Sequence, residues 1–536
     1  MKIAHILIMF WLFISLGIAS SQNITPDEII TRNTSVINES VVEAPAINES
    51  NPVYWYNKGE ELLNASKYNE SIEAYDRAIE LNQSYAEAWY KKGLALSDQD
   101  KFDEAIEAYD EAIQLDSKYA AAWKSKGYAL LNLNKYDMAF KAFDKAIEID
   151  PKYSLAWEGK ALALLAIGDD DVIEVYDELI KLNSSEPKYW LAKGLALRIL
   201  GKYDEAINAF DEAIRINPEW ALPWSGKGKS LSSLGRYDEA VQAYDEAIER
   251  DSNDSTVWYE KGLALCEIEE YDRAIEAFDE AITLDSNNID AWFLKGYALS
   301  ELDDCDEAIE AYDEVIRLNP NTTTARYNKG ICLDKLDEFE RAIDVYDEII
   351  RIDPSYLDAW LRKANSYSEL GEYEESINAT DNAIELNKTD DMLWTTKGYY
   401  LFLLDEYNEA IRAFEKAIGF NPKSGWAWQL KGHALDAQGK YDDAIKCFKK
   451  ANDLDSDYWT YISGMGNTHY KNGEYAAAIK YYEADIKDDP TDEYAWYNKA
   501  NALRMLHRNS DAEKAYAKAR ELGYNGDWTF LEMLAK

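Results

Sequence analysis

Apolar and polar positions along this chain follow a helical period that stops and restarts every 34 residues. In "AWYKKGLAL", residues 88–96, Trp89, Gly93 and Leu96 lie at i, i+4 and i+7, one stripe of a 3.6-residue helix. The stretch returns as "AWKSKGYAL" at 122, "VWYEKGLAL" at 257, "AWFLKGYAL" at 291 and "AWQLKGHAL" at 427. Counted from Pro52, fourteen such units run end to end through Tyr524, the fourth being one residue short. Each unit predicts two helices. An aromatic-led segment ends near a Gly-Lys-Tyr turn, and a "YDEAIEAYDEAIELD"-like segment then closes in Asn, Asp, Pro or Ser.

The fourth position of the unit is Trp in twelve units, Arg326 and Ile462 being the exceptions, and the eighth is Gly or Ala in all. Small residues there, together with Ala105, Ala139, Ala206, Ala240 and Ala274 at the twentieth position, allow the two helices to approach closely. This Trp, Gly, Tyr, Ala and Pro pattern at a period of 34 resembles the tetratricopeptide repeat (TPR) family, over residues 52–524. The resemblance, to exported microbial TPR arrays, implies an all-α, right-handed superhelical α-solenoid of about fourteen helix-turn-helix units. It also implies a binding scaffold. Lys stands where the family usually has leucine before the glycine, Leu replaces a later tyrosine, and the fourth unit is irregular.

Comparing units within the chain gives that lysine a partner. Lys occupies the seventh position everywhere except at Met465, and the twenty-fifth position is acidic nearly as often. Pairing each acid with the lysine of the following unit gives Asp76–Lys92, Asp110–Lys126, Asp211–Lys227, Asp245–Lys261 and Asp347–Lys363. The exceptions agree: Lys449 replaces the acid before Met465, and Ala517 stands in the last unit, which has no follower. The expectation is an inter-repeat ladder in which each lysine stem lies beside tryptophan.

A net charge of −44 argues against nucleic acid, which needs a basic stripe, and against anionic membrane surfaces. Most of the acid falls in the second helices, as expected of a solvated outer face. The N-terminus differs. "MKIAHILIMFWLFISLGIAS" has Lys2, an apolar run over 3–19 and a small-x-small site ending at Ala19, so residues 1–19 read as a signal peptide or, uncleaved, a membrane tether. Residues 20–51 form an Asn/Ser/Thr/Glu-rich stalk with glycosylation acceptors at Asn23, Asn33, Asn38 and Asn48. Further acceptors are Asn64, Asn69, Asn82, Asn183, Asn253, Asn321, Asn378 and Asn387. The array is therefore expected outside the cytoplasmic membrane, secreted or anchored at its outer face.

Catalytic patterns fail. His433, His469 and His507 occupy three different repeat positions and read as ordinary helix residues, and Cys266, Cys305, Cys332 and Cys447 show no CxxC spacing, reading as small packing residues. "DLDSD" at 453–457 lacks the glycine and distal glutamate of a calcium loop. No enzyme activity, cofactor, metal or small-molecule substrate is expected. The tail 525–536 reads as a short capping helix.

In the family it resembles, first helices line the concave groove, so the fifth and ninth positions should meet a ligand. These are Tyr56, Tyr90, Tyr128, Tyr259, Phe293, Tyr297, Tyr327 and Tyr399, with Asn365, His433, Asn467 and Asn501 further along. The expectation is an apolar groove that holds a peptide of an unidentified protein partner, its polar end bonding peptide backbone. The family's carboxylate clamp is half matched by Lys124, which faces Tyr128 instead of asparagine. A substrate-docking subunit of a separate enzyme such as a glycosyltransferase is the alternative.

Overall fold

The computed structural model describes residues 49–454 and 459–524, without the side chains of 459–463. The signal segment, nearly all of the stalk with its four acceptors, the centre of "DLDSD" and the C-terminal cap lie outside those residues. Among the described residues the chain is all α, with twenty-eight helices and no strand. They pair as the period predicts: α1 (Pro52–Asn64) with α2 (Tyr68–Leu81), and so on to α27 (Glu493–Met505) with α28 (Asn509–Glu521). The chain divides after Leu284 into two compact units, each with seven helix pairs. No described helix is long and apolar enough to cross a membrane.

The eighth position sets the spacing within a pair. A Cβ placed on Gly59, Gly93, Gly262 or Gly398 would come 2.5 Å from the ring of Tyr75, Tyr109, Phe278 or Phe414, at the twenty-fourth position of the same unit. Those rings are at most 1% exposed. The glycine thus admits an aromatic ring rather than only a second small side chain. Where alanine stands there, the far side changes in two of three units: Ala364 is matched by Thr380 at the twenty-fourth position and Ala500 by a Tyr516 only partly buried, while Ala161 keeps a buried Tyr176. The shortened fourth unit, with Ala161, reaches its second helix, Val172–Leu182, through a left-handed Gly168.

Between the helices of each pair, the fifteenth position is left-handed in all units. Glycine serves at Gly201, Gly235, Gly371, Gly439 and Gly473, but Ser66, Asp100, Glu269 and His507 adopt φ of 58°, 59°, 61° and 60°. His507 is therefore a turn residue and not the helix residue expected. Between pairs, an Asx turn recurs. Asn82, Asp116, Asp251 and Asp353 accept from the amides two residues on, at 3.1, 2.9, 3.0 and 2.9 Å. This explains why the units close in Asn or Asp.

The lysine ladder is present. Asp76–Lys92, Asp211–Lys227, Asp245–Lys261 and Asp347–Lys363 measure 2.6, 2.7, 2.6 and 2.5 Å, and Asp110–Lys126 is also paired. The same spacing joins Asp144–Lys160, Asp177–Lys193, Asp313–Lys329, Asp381–Lys397, Glu415–Lys431 and Glu483–Lys499 at 2.5–3.0 Å. Each bond runs from a second helix to the next first helix. The ammonium of Lys92 lies 5.2 Å from the Trp89 ring and that of Lys261 lies 5.1 Å from Trp258. Met465, which breaks the ladder, is buried in an apolar cluster with Phe448.

Tryptophan also closes the junction behind it. The indole N–H of Trp123, Trp157, Trp258 and Trp360 donates to the carbonyl six residues earlier, in the inter-repeat turn, at 3.3, 3.0, 3.0 and 3.1 Å. Arg326 replaces it with a different bond set: its guanidinium donates to Thr322 O at 2.8 Å and pairs with Glu348 at 2.9 Å.

Two outcomes follow for stability. Gly398→Ala should cost about 1–3 kcal/mol despite better helix propensity, because the fully buried Phe414 ring cannot give way. Combining it with Phe414→Thr, the arrangement of Ala364 and Thr380, should cost less than the two single changes summed, read from thermal midpoints. A double-mutant cycle of Asp245→Asn and Lys261→Met should give a coupling of at most about 1 kcal/mol that shrinks with added salt, since the carboxylates are about half exposed. A coupling insensitive to salt would contradict this account.

Candidate functional site

The fifth and ninth positions come together on the first-helix face, because in a helix residues four apart share a side. Their rings are not free-standing. Tyr56 packs against Tyr85 at 5.2 Å, Tyr90 against Tyr119 at 5.0 Å and Tyr327 against Tyr356 at 5.7 Å between ring centroids. Behind them lie the buried twenty-fourth-position rings: Tyr259 is 6.2 Å from Phe278 and Phe293 is 5.9 Å from Tyr312. These rings therefore have their inner edges against the core, and Tyr297 and Tyr399 are the most open of the row, at 37% exposure. Burial, with Glu60 and Glu87 nearby, pushes the Tyr56 hydroxyl up to about 12, so it stays a neutral donor.

In the first compact unit the face is not continuously apolar, contrary to the expectation. Lys91 reaches Glu60 at 2.9 Å, Lys188 reaches Glu158 at 3.2 Å and Lys229 reaches Glu260 at 3.2 Å. The reason is geometric: sequence separated these residues by about a repeat, but neighbouring first helices bring them side by side. Tyr128 also turns its hydroxyl away, donating to Leu155 O at 2.9 Å, and Lys124 lies 5.8 Å from the Tyr128 ring centroid.

The second unit carries the aromatic stretch and the polar stretch. Phe293, Tyr297 and Tyr327 are followed by Asn365, Tyr399, Asn467 and Asn501, the asparagine amides being oriented from within. Asn365 accepts from the Tyr400 hydroxyl at 2.6 Å, Asn467 from Tyr482 at 2.9 Å, and Asn501 from Tyr516. These bonds use the amide oxygens and leave the NH2 groups as the donors toward a ligand. The sequence did not reveal these tyrosines as partners. It also missed Asp334, which accepts from Tyr346 and Ser366 at 2.7 Å each.

The histidines do not converge. His433 meets the Phe448 ring edge-on at 4.9 Å, whereas buried His469 pairs its Nδ1 with Glu474 at 2.5 Å and stacks on Tyr481. Among the described residues no cluster suited to a metal occurs. A cavity of about 520 Å³ lies away from this face, lined by Asn378, Asp381, Glu385, Lys388, Trp394 and Lys416. Lys416 caps the Trp394 ring at 3.9 Å and Asp381 holds Lys397, so the charges there are engaged in packing. Second-helix acids such as Asp103, Glu104, Glu107 and Glu111 are exposed, as expected of a solvated face.

Tetratricopeptide repeat family models match residues 56–120, 90–154, 125–172, 226–289, 293–356 and 463–525, and related repeat models match 187–219, 357–390, 393–424 and 432–473. Among solved structures, YrrB, described as a TPR protein with an unusual peptide-binding site, is 29% identical over 35% of this chain and 96% of its own, with a TM-score of 0.32. MamA is 25% identical over 32% and 92%, with a TM-score of 0.31. A tetratricopeptide repeat protein from Parabacteroides merdae is 18% identical over 46% and 98%, with a TM-score of 0.34. No curated protein matches the chain.

His433 gives this face a pH response. Burial and Lys471 hold its imidazole below the ordinary value, burial dominating, while Asp436 opposes them. Because the folded state disfavours the proton, stability is unaffected above the unfolded value of about 6.5 and falls as pH drops below it, until the folded value is passed. His433→Asn, matching Asn365 and Asn467, should make the acid-side fall in thermal midpoint shallower over that window. An unchanged slope would remove His433 from the response.

Proposed function

The chain belongs to the tetratricopeptide repeat family, and from that premise we propose that it is a protein-interaction scaffold which takes an extended apolar or amphipathic partner segment along its first-helix face, outside the cytoplasmic membrane. The observation that carries the binding mode is the part-exposed aromatic row Phe293, Tyr297, Tyr327 and Tyr399, in which Phe293, Tyr327 and Tyr399 each pack against a further ring. A braced ring has little freedom left to lose, so burying its outer edge against a ligand costs little ordering entropy. The oriented amides of Asn365, Asn467 and Asn501 then supply donors to backbone carbonyls of the same segment.

The location rests on different grounds. The apolar run at 3–19 and the small residues ending at Ala19 are an export signal by composition. All eight acceptor asparagines of the array, from Asn64 to Asn387, are exposed, as glycan attachment requires. Asn82 and Asn183 use their amide oxygens in Asx turns, which leaves the nitrogen for a sugar without breaking the turn.

Replacing Phe293, Tyr297, Tyr327 and Tyr399 together by Ser in the full chain should abolish the partner crosslinked in intact cells, with helicity by circular dichroism retained. Undiminished crosslinking would move the site to the acidic second-helix face. Fractionation tests location separately: native protein recovered in the cytoplasm, with Met1 intact and no added glycan mass, would overturn export and leave the binding mode standing.

A further inference from the structure

One junction between repeats departs from all the others at both ends of a single contact. The seventeenth position opens the second helix and is Tyr or Phe in most units, as in Phe102 and Tyr136; in the eighth unit it is Cys305. The tenth position is Ala in most units, as in Ala129 and Ala163; in the ninth unit it is Cys332. In ordinary junctions these two positions meet. Phe102 packs on the cluster containing Ala129, and Tyr136 on the cluster containing Ala163. Where the ring becomes Cys305, the alanine it would cover becomes Cys332, so the register of the repeats puts two buried thiols at one junction. They are 2% and 1% exposed.

As packing residues the pair is hard to account for. Exchanging a ring for a thiol gives up most of its apolar area, and a second thiol restores only a little. Cys447 and Cys266 behave differently, each standing in for the alanine or serine common at its position, with no cysteine opposite. Two thiols at the two ends of one contact are what a crosslink requires.

We infer that Cys305 and Cys332 form a disulfide that covalently joins the eighth and ninth repeats. Both are reduced in the structure. The bond forms by thiol–disulfide exchange with a disulfide oxidant, such as oxidised glutathione or a dithiol oxidoreductase. One cysteine thiolate attacks the oxidant and expels a thiol, and the second resolves the mixed disulfide and expels another. The pair loses two electrons and two protons, and the oxidant disulfide is reduced to two thiols. Burial raises the Cys332 thiol to about 12, so in the closed junction the thiolate is scarce and exchange is slow. The crosslink therefore belongs to folding, before this junction closes, in an oxidising compartment. It does not depend on the binding mode.

The full chain is refolded from urea in a glutathione redox buffer, quenched with acid, alkylated under denaturing conditions and mapped as non-reduced peptides. The expected product links the Cys305 and Cys332 peptides and is lighter by two hydrogens than their sum, with Cys266 and Cys447 alkylated. Dithiothreitol should then lower the thermal midpoint of the oxidised protein. The double variant Cys305→Tyr, Cys332→Ala restores the ordinary contact and should fold without any response to dithiothreitol. Recovery of both cysteines alkylated at every glutathione ratio, or linkage to Cys266 or Cys447 instead, overturns the inference.

Discussion

The whole array depends on one contact, the buried ring of the twenty-fourth position lying against a glycine that has no room for a side chain. It fixes the distance between the two helices of a pair, and through that distance the angle at which the next pair can dock. The cost is paid in helix propensity, since glycine in a helix interior loses about 1 kcal/mol against alanine. Burying a full ring offsets it. One exception obeys the same constraint from the other side, Ala364 being matched by the smaller Thr380, whereas Ala161 and Ala500 keep tyrosines opposite, Tyr176 and Tyr516.

Once that distance is set, the remaining junction contacts locate each repeat on its predecessor. The tryptophan indole ties to the turn behind it, the lysine crosses its ring, and the ammonium finds a carboxylate on the preceding second helix. None of these is strong alone, and the exposed carboxylates are screened. Their value lies in direction. A lysine sixteen residues past its acid can be satisfied in only one register, so repetition of a weak bond excludes slipped stacking without adding much stability. Arg326 illustrates the economy: with the indole gone, a guanidinium holds the same turn from another angle and is itself buried.

Much of this was legible because the chain contains its own comparison set. The ladder emerged from residues that change together between units, Met465 and Lys449 being the informative failures. Features whose residue identity varies stayed hidden. The left-handed fifteenth position is Gly, Ser, Asp, Asn, Glu or His, so no single letter announces it, and His507 read as helical. The indole bond was invisible because its acceptor is a backbone carbonyl. The sequence puts the asparagines on the first-helix face but does not reveal the tyrosine from which each amide oxygen accepts. Periodicity gives the face of a residue and not its neighbour, and the same limit concealed the Glu60–Lys91 pair until the helices were side by side.

That division between fixed and variable positions is also an argument about where specificity resides. Positions seven, eight, twenty and twenty-four are nearly constant along the chain, and each is consumed by a contact within or between repeats. The fifth position runs through Tyr, Lys, Glu, Leu, Ser and Phe, and the ninth through Glu, Leu, Tyr, Lys, His and Asn, with no loss of the helix that carries them. A solenoid repeat touches only its neighbours, so a change at an outward first-helix position is not propagated. Some of these side chains also serve packing, Leu191 and Thr395 being buried, but the repeat contacts do not dictate the order in which the exposed ones differ, aromatic over 293–327 and amide-rich from 365 onward. A ligand with an apolar segment followed by a backbone-exposed one is the simplest chemistry that reads this order from one end to the other.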